Sequence, residues 1–238
     1  MLFSILSGGD IREMIINLLL LIPVIIISLS VHEAAHGYIA YKMGDPTAYN
    51  MGRVTLNPAK HLDPMGSFCM LVFGYGWAKP VPINARNFRN PKNGMAYTAI
   101  AGPISNLLLG SIATVLYTVT QFLAMYNIAD LAGNDFLIKV IRVVLTLLFY
   151  FGYMNFVLAV FNLIPVPPFD GSRFFSLFLP TKTYFKIMQY ERYIMIGILL
   201  FMIVCSRLFN FSPFGWVADK LIDLIYDGVM SLLILIFA

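Results

Sequence analysis

The chain has 238 residues, of which 59% are hydrophobic and only 12% charged, and its mean hydropathy is +0.79. A soluble globular domain carries about 25% charged residues, so this composition excludes a soluble protein and predicts an integral membrane protein. The net charge of +4 is modest, and no basic patch alternates with the aromatic residues as a nucleic-acid surface would require. We therefore expect a polytopic membrane protein that does not bind nucleic acid.

The first predicted membrane helix covers residues 11–42, and its uncharged part, residues 14–31, leads directly into the sequence HEAAH. This motif holds two of the three histidines of the chain. Positions i and i+4 of a helix lie on the same face, so His32 and His36 can bind one metal ion. Glu33 stands next to the first of these ligands and can reach a metal-bound water.

The section between the first and second helices, residues 43–93, has a different character, with five glycines and six prolines. Such a sequence favours extended or hairpin-like backbone over helix, and Asp45 and Asp63 are expected to fix its turns. His61 does not complete the extended HExxHxxGxxH pattern, because Ile39 occupies the glycine position. A hydrogen-bonded loop residue is the favoured interpretation of His61, and a direct role in the site is the alternative.

Three or four further spans are predicted, so the chain has four to five in total: residues 94–129, 143–169, about 184–206 and 213–238. Pro103 is expected to bend the second span, and Pro165, Pro167 and Pro168 to end the third. Ser212 and Pro213 form a helix start in the last segment. The sequence leaves open whether that helix spans the membrane, because Asp219, Asp223 and Asp227 form an acidic stripe along it.

The basic residues predict the orientation. They concentrate in residues 42–92, which hold Lys42, Arg53, Lys60, Lys79, Arg86, Arg89 and Lys92, and after the third span, which is followed by Arg173, Lys182 and Lys186. The loop near residues 127–135 contains two aspartates and no basic residue. The positive-inside rule then places the N-terminus outside and puts HEAAH near the cytoplasmic face.

Asp170 is the predicted third ligand of the metal. A catalytic zinc has three protein ligands and one open position, and Asp170 follows the third span in its proline-rich break, at the same membrane face as HEAAH. A carboxylate near the bilayer centre costs roughly 3 kcal/mol. Zinc binding, worth about 10–16 kcal/mol in small peptides, offsets that cost. The sequence thus predicts one Zn²⁺ ion held by His32, His36 and Asp170.

The motifs resemble those of the site-2 proteases, a family of intramembrane zinc metalloproteases. The matching segments, spread over roughly residues 20–180, are HEAAHGYIA, GRVTLNPAKHLDPMGS, AIAGPISNLLLG and NLIPVPPFDGSR. HExxH alone is moderately specific, whereas the four segments in this order on membrane spans are highly specific. The chain has no room for a PDZ domain between spans and so is similar to the short bacterial members.

The resemblance implies roles for individual residues. It implies that His32, His36 and Asp170 bind zinc and that Glu33 is the general base. Asn106 corresponds to an asparagine thought to hold substrate or stabilise the oxyanion, and a plain helix–helix hydrogen bond is the equally weighted alternative. It also implies that the irregular section forms membrane-embedded strand structure, along which an unwound substrate pairs.

The predicted fold is therefore an all-α polytopic membrane protein with a short β-hairpin or extended section after the first helix. The whole chain, 1–238, is expected to form one protease domain, with its motif-bearing core at about 11–180 and C-terminal helices at 184–238. The expected partner is a transmembrane helix of another protein within a lipid bilayer, most simply the bacterial inner membrane. A zinc-dependent lipid hydrolase, a metal transporter and a homo-oligomeric assembly all remain open.

Overall fold

The computed structural model describes residues 11–66, 78–127 and 133–237, and the elements within these ranges are helical. The α-helices are α1 (Ile11–Met43), α2 (Thr47–Asn50), α3 (Pro91–Tyr126), α4 (Asp135–Asn162), α5 (Asp170–Phe175), α6 (Thr181–Met188), α7 (Glu191–Leu208) and α8 (Pro213–Phe237). Two short 3-10 helices cover Pro58–Lys60 and Ala85–Asn87. The predicted all-α class is confirmed.

Three helices of the described chain are long and apolar enough to cross a membrane: residues Leu19–Met43 of α1, all of α3 and all of α4. These helices carry many large apolar side chains that are largely exposed at the surface of the protein, such as Leu108 at 59% exposure. Contiguous apolar surface of this extent is unfavourable in water and matches a lipid environment. The protein is therefore an integral membrane protein.

Helix α3 lies at the centre of the fold and contacts α1, α4, α5 and α8. Its contact with α4 is close because each helix places a glycine in it: a Cβ at Gly110 would lie 2.9 Å from Phe156, and one at Gly152 would lie 3.0 Å from Thr114. Small residues at helix contacts are the usual means of tight packing in lipid, where burial of apolar surface gives little driving force. This packing fixes the position of the helix that carries the AGPISN motif.

A buried polar contact joins α1 to α4. The side-chain amide of Asn155 donates a hydrogen bond of 2.8 Å to the hydroxyl of Ser28, and both residues are fully buried. A hydrogen bond of this kind in a membrane interior contributes on the order of 1 kcal/mol. It lies one helical turn before HEAAH and stabilises the contact of α1 with α4 there.

Two of the predicted spans differ from the structure. Helix α4 begins at Asp135 rather than near residue 143, because exposed Lys139 and Arg142 are tolerated in its first turns and Asn134 caps it by accepting a 3.0 Å bond from Leu137. It ends at Asn162 because the prolines that follow cannot continue a helix.

The prediction of one continuous helix from near Tyr184 is wrong. Helix α6 ends at Met188, α7 begins at Glu191, and their axes differ by 60°. The pair counts as a fourth candidate span only if both helices are taken together. The total of four to five spans therefore stays a prediction.

The C-terminal helix α8 begins as its sequence indicates. Ser212 caps it, its hydroxyl accepting a 3.1 Å hydrogen bond from the amide of Gly215. Ala218 and Ile222 pack against Phe156 of α4 in the hydrophobic core cluster. The acidic stripe of α8 faces away from this contact, since Asp219, Asp223 and Asp227 are exposed.

The hairpin predicted after α1 is not seen in the described part of that section. An isolated antiparallel bridge joins Leu62 to Ala78, and no strand occurs in residues 11–66 or 78–127. Most of the predicted hairpin falls on residues 67–77, which lie outside the described residues. The described backbone on either side contains turns and the two short 3-10 helices, and it is held by polar side chains.

Candidate metal centre and catalytic cavity

Three side chains predicted to bind metal meet at one point between α1 and α5. Nε2 of His36 lies 3.0 Å from Nε2 of His32. Oδ2 of Asp170 lies 3.1 Å from Nε2 of His32 and 3.2 Å from Nε2 of His36. The two histidines are buried, and the Asp170 side chain is 23% exposed. Asp170 is 138 positions after His32 in the chain, so only the fold brings the two together.

Partners on α3 fix which ring nitrogen of each histidine points to this centre. Nδ1 of His36 donates to the backbone carbonyl of Thr98 at 2.7 Å, and Nδ1 of His32 donates to Oδ1 of Asn106 at 3.1 Å. Donation from Nδ1 leaves Nε2 as a lone pair in the neutral ring. Two lone pairs and a carboxylate oxygen facing one another repel unless a cation lies between them.

The spacing of the three atoms fits a zinc ion. A tetrahedral zinc with bonds of about 2.0–2.1 Å holds its ligand atoms about 3.3–3.4 Å apart, close to the 3.0–3.2 Å separations seen here. Two imidazoles and one carboxylate leave a fourth position open, as catalytic zinc requires. Hydrogen bonds from the ligand rings to Thr98 and Asn106 supply the outer support that such sites use.

Gly102 lets α3 approach the histidines this closely. A Cβ atom at this position would lie 2.5 Å from Cε1 of His32 and 2.5 Å from Nε2 of His36, closer than any real contact allows. Gly171 has a similar role beside the third ligand, because a Cβ there would lie 2.4 Å from the carbonyl oxygen of Leu163. Both glycines follow from the need for backbone to pack directly on the site.

Glu33 lines a cavity of about 440 Å³ that also includes the three proposed ligands. Its Oε2 accepts a 2.9 Å hydrogen bond from the backbone amide of Val81, and the glutamate itself is half-buried. One carboxylate oxygen is thus held by the protein, while the residue borders the space that a substrate would enter. The other walls are formed by residues 80–83, the start of α3 and the turn that follows α4.

The extended segment 78–83 passes over the HEAAHG motif in close contact. A side chain at Gly37 would meet Val54 at 3.1 Å and Val81 at 3.4 Å, so the glycine after His36 leaves room for the segment. The side chain of Val81 is buried at 7% exposure. This contact holds Val81 against α1, where its amide reaches Glu33.

Two buried charged residues hold this segment and the turn that follows it. On one side, the guanidinium of Arg53 donates to the carbonyls of Lys79 at 2.7 Å and Pro80 at 3.2 Å. On the other, Asp45 accepts bonds from the amide of Asn84 at 2.7 Å and the side chain of Asn87 at 2.8 Å. The section therefore has defined geometry without regular secondary structure.

The environment of Asp45 stabilises its charged form. Burial alone would raise the pKa of this carboxyl group, but hydrogen bonds from the Thr47 hydroxyl, the Asn84 amide and the Asn87 side chain outweigh burial and lower it below the ordinary value. Asp63 likewise fixes its turn, accepting a 2.7 Å bond from the amide of Gly66. Both aspartates act on the backbone, in keeping with their turn context in the sequence.

The remaining sequence candidates lie in two different places. Asn106 is fully buried against His32 and does not line the cavity, and its Nδ2 has no hydrogen-bond partner among the described residues. His61 is 1% exposed, and its Nε2 bonds to the carbonyl of Thr55 at 2.8 Å. The group of potential metal ligands found in the described chain does not include His61, which favours the interpretation of a loop residue.

Four contributors to the site were not identified from the sequence. They are the Thr98 carbonyl, the Gly102 backbone, the Val81 amide and the Arg53 side chain. The role of Gly102 could have been predicted, because a small residue in a membrane helix indicates a close helix contact. The other three depend on tertiary contacts that no local pattern encodes.

Comparison with known proteins identifies relatives of this chain. A family model described as "Peptidase family M50" matches residues 20–205. The chain is 37% identical over 219 residues to "Putative zinc metalloprotease YwhC" of Bacillus subtilis (strain 168). The matched region covers 91% of this chain and 92% of that relative. It is 27% identical over 152 residues to "Putative zinc metalloprotease Rip2" of Mycolicibacterium smegmatis, covering 61% of this chain and 52% of the relative. No solved structure matches the chain significantly.

Proposed function

Because the chain belongs to peptidase family M50, we propose that it is a zinc-dependent endopeptidase that hydrolyses peptide bonds within transmembrane segments of other membrane proteins. Family membership confirms the resemblance to the site-2 proteases and supports peptidase activity. The observation that carries the finer proposal is the convergence of the His32, His36 and Asp170 ligand atoms beside Glu33 in one cavity.

The proposed ligands are Nε2 of His32, Nε2 of His36 and Oδ2 of Asp170, and the names of both relatives support zinc as the metal. Zinc held there supplies a Lewis acid that polarises the scissile carbonyl and makes water a stronger nucleophile near neutral pH. Charge balance is favourable, because the carboxylates of Asp170 and Glu33 together offset a divalent ion within the membrane protein.

Glu33 is the proposed general base. Its Oε2 is held by the Val81 amide, so its orientation is set before substrate arrives. The carboxylate takes a proton from the attacking water and then delivers it to the nitrogen of the leaving amine, which avoids expulsion of an amide anion. Glu33→Gln keeps the size and the contact to Val81 but removes the base.

Asn106 is proposed to act through two atoms. Its Oδ1 accepts from Nδ1 of His32 and so orients a ligand. Its Nδ2, which no described residue engages, is the donor that remains for a substrate carbonyl or a developing oxyanion. The first role follows from contacts in the protein, and the second is the role that the family resemblance implies.

The proposed substrate is a transmembrane helix that unwinds locally, because a helical peptide bond is shielded from attack. Strand-like pairing along residues 70–83 would replace the lost backbone hydrogen bonds. Pro80, Val81 and Ile83 line the cavity, which supports entry of extended backbone beside them. The hairpin expected in this section is part of the same proposal.

The proposed location is the bacterial inner membrane, with the cavity nearer the cytoplasmic face. The exposed basic residues on the section after α1 support this orientation through the positive-inside rule. This orientation is tested by the variants Lys60→Cys and Arg86→Cys, whose thiols are labelled from each side of intact vesicles.

The function is tested with purified protein in detergent or liposomes, incubated with candidate single-span membrane proteins and separately with membrane lipids. We expect cleavage of a protein substrate within its span, loss of cleavage with chelator and recovery with zinc. Glu33→Gln should retain metal and lose about 10²- to 10⁴-fold in rate, the scale of removing a general base. Full activity in Glu33→Gln would refute the mechanism, and chelator-sensitive lipid hydrolysis without protein cleavage would favour the lipid hydrolase.

A further inference from the structure

Arg53 differs from every other basic residue in the section after α1. The other six, Lys42, Lys60, Lys79, Arg86, Arg89 and Lys92, are exposed, as residues that only determine topology should be. Arg53 is 7% exposed, and no described carboxylate forms an ion pair with it. A buried charge without a counter-charge is costly, so a role in topology alone does not account for its position.

Within the described residues, the hydrogen bonds of the Arg53 side chain go to one short segment. One terminal nitrogen of its guanidinium donates to the carbonyls of Lys79 and Pro80, while its Nε is buried with no partner among the described residues. The backbone of Arg53 is itself fixed, its amide donating 2.9 Å to the carbonyl of Ala48. The side chain thus ties residues 79–80 to the end of α2 by two charge-assisted bonds.

The segment that Arg53 holds ends at the residue that binds the catalytic base. Pro80 and Pro82 have no N–H group, so Val81 provides the single amide donor of the Pro-Val-Pro triplet. That amide bonds to Oε2 of Glu33 at 2.9 Å. The carbonyls on the two residues before Val81 are both occupied by Arg53, which leaves the triplet little freedom to rotate.

We propose that Arg53 is a positioning residue for catalysis, which clamps the Lys79–Pro80 carbonyls so that the Val81 amide orients the Glu33 carboxylate. The inference rests on the proposed proteolytic function and deepens it. Arg53 touches neither the ligands nor the cavity, so its effect reaches the reaction only through the segment. The clamp acts on the base and leaves the His32, His36 and Asp170 cluster unchanged.

The first test compares three single variants in the full-length, zinc-loaded protein. Arg53→Met should lower kcat by about 100-fold, the order expected when a catalytic group is displaced by about 1 Å. Zinc content and KM should change less than twofold. Arg53→Lys restores one charged donor and should recover part of the loss. Arg86→Met, an exposed arginine of the same section, is the matched control and should behave as wild type.

Val81→Pro tests the amide directly, because it removes the N–H and keeps an apolar residue. The residue before Pro82 is already confined to extended conformations that proline can adopt. Val81→Ala keeps the amide and should lose less activity than Val81→Pro. In the double variant Arg53→Met/Val81→Pro, kcat should fall no further than in the more damaged single variant, because both changes break one chain of contacts.

Amide hydrogen exchange of residues 78–83 tests the clamp independently of activity. Arg53→Met should exchange faster there than wild type, with no change across α3 and α4. Unchanged exchange, wild-type kcat in Arg53→Met, multiplicative losses in the double variant, or zinc loss in proportion to activity would each overturn the proposal. If wild type itself cleaves no membrane protein, the proposed function fails, while the exchange result still decides whether Arg53 holds the segment.

Discussion

The two halves of the candidate site are positioned by different means. The proposed metal ligands stand on or beside membrane helices, and close packing of backbone at Gly102 sets their spacing. The segment that contacts Glu33 has no regular structure: buried Arg53 donates to its carbonyls, and buried Asp45 accepts hydrogen bonds from the turn that follows it. One half relies on shape and the other on polar contacts.

This difference follows from the surroundings of each half. Within lipid, helices satisfy their own backbone groups and approach each other through small residues. Outside the helices, backbone groups need other partners, and a charged side chain can satisfy two or three at once. We therefore expect packing changes to disturb metal binding and charge changes to disturb the segment over Glu33.

Gly102→Ala should have the largest effect in the helical half. Its methyl group would overlap both imidazoles, which must then move apart or turn away. Changes around a metal site typically lower metal affinity by about 10- to 100-fold, and we expect a larger loss of zinc affinity here. Zinc titration against a competing chelator measures this.

Gly197→Ala is the matched control for that variant, because a Cβ at Gly197 of α7 meets nothing within 4 Å. Its zinc affinity should equal that of wild type. Retention of wild-type affinity in Gly102→Ala would show that packing of α3 does not set the ligand spacing.

Asn106→Ala separates the two roles proposed for this asparagine. Loss of the acceptor for His32 Nδ1 should weaken zinc binding by about 10- to 100-fold. A variant loaded with saturating zinc should remain slower than wild type only if Nδ2 also contacts the substrate. Full recovery of kcat on zinc saturation would limit Asn106 to orienting His32.

Asn155→Ala is the control for Asn106→Ala, since Asn155 is also fully buried on a membrane helix but bonds to Ser28, away from the ligands. It should lower stability by about 1 kcal/mol and leave zinc affinity unchanged. Equal loss of zinc in both asparagine variants would point to general destabilisation.

Asp45→Asn should have the smallest effect on the metal site, because its contacts are confined to the irregular half. Replacing a charged acceptor of several hydrogen bonds by an amide should lower stability by about 2 kcal/mol. Zinc content should not change. Thermal unfolding in detergent measures the loss, with exposed Asp223→Asn as the control.

Because of Asp45, the stability of the protein should depend on pH. The folded pKa of Asp45 is below the ordinary value, so its contribution is fully present above the unfolded pKa of about 4 and is lost as pH falls through the folded pKa. Wild type should therefore lose more stability than Asp45→Asn on acidification below about pH 4. Parallel pH profiles of the two proteins would contradict this assignment.

The sequence was most informative where local rules decide the structure. The four-residue spacing of His32 and His36 places both on one face of α1, and the prolines after α4 require the break from which Asp170 projects. The Ser212 cap is likewise local. These features needed only helix geometry and proline chemistry.

Features set by tertiary contacts could not be predicted. The break between α6 and α7 follows no Gly or Pro signal in the sequence, since Gln189 and Tyr190 occupy it. Arg53 looked like one of seven basic topology residues, and only the fold shows it buried on backbone carbonyls. The Val81 amide contact to Glu33 joins residues 48 positions apart and has no pattern in the sequence.

The central claim is that His32, His36 and Asp170 share one zinc ion, and X-ray absorption at the zinc edge of the purified protein tests it most directly. We predict one zinc per chain, with two imidazole nitrogens and oxygen ligands at about 2.0–2.2 Å, and loss of that signal in Asp170→Ala. A zinc bound through sulfur, or an unchanged spectrum in Asp170→Ala, would contradict the account.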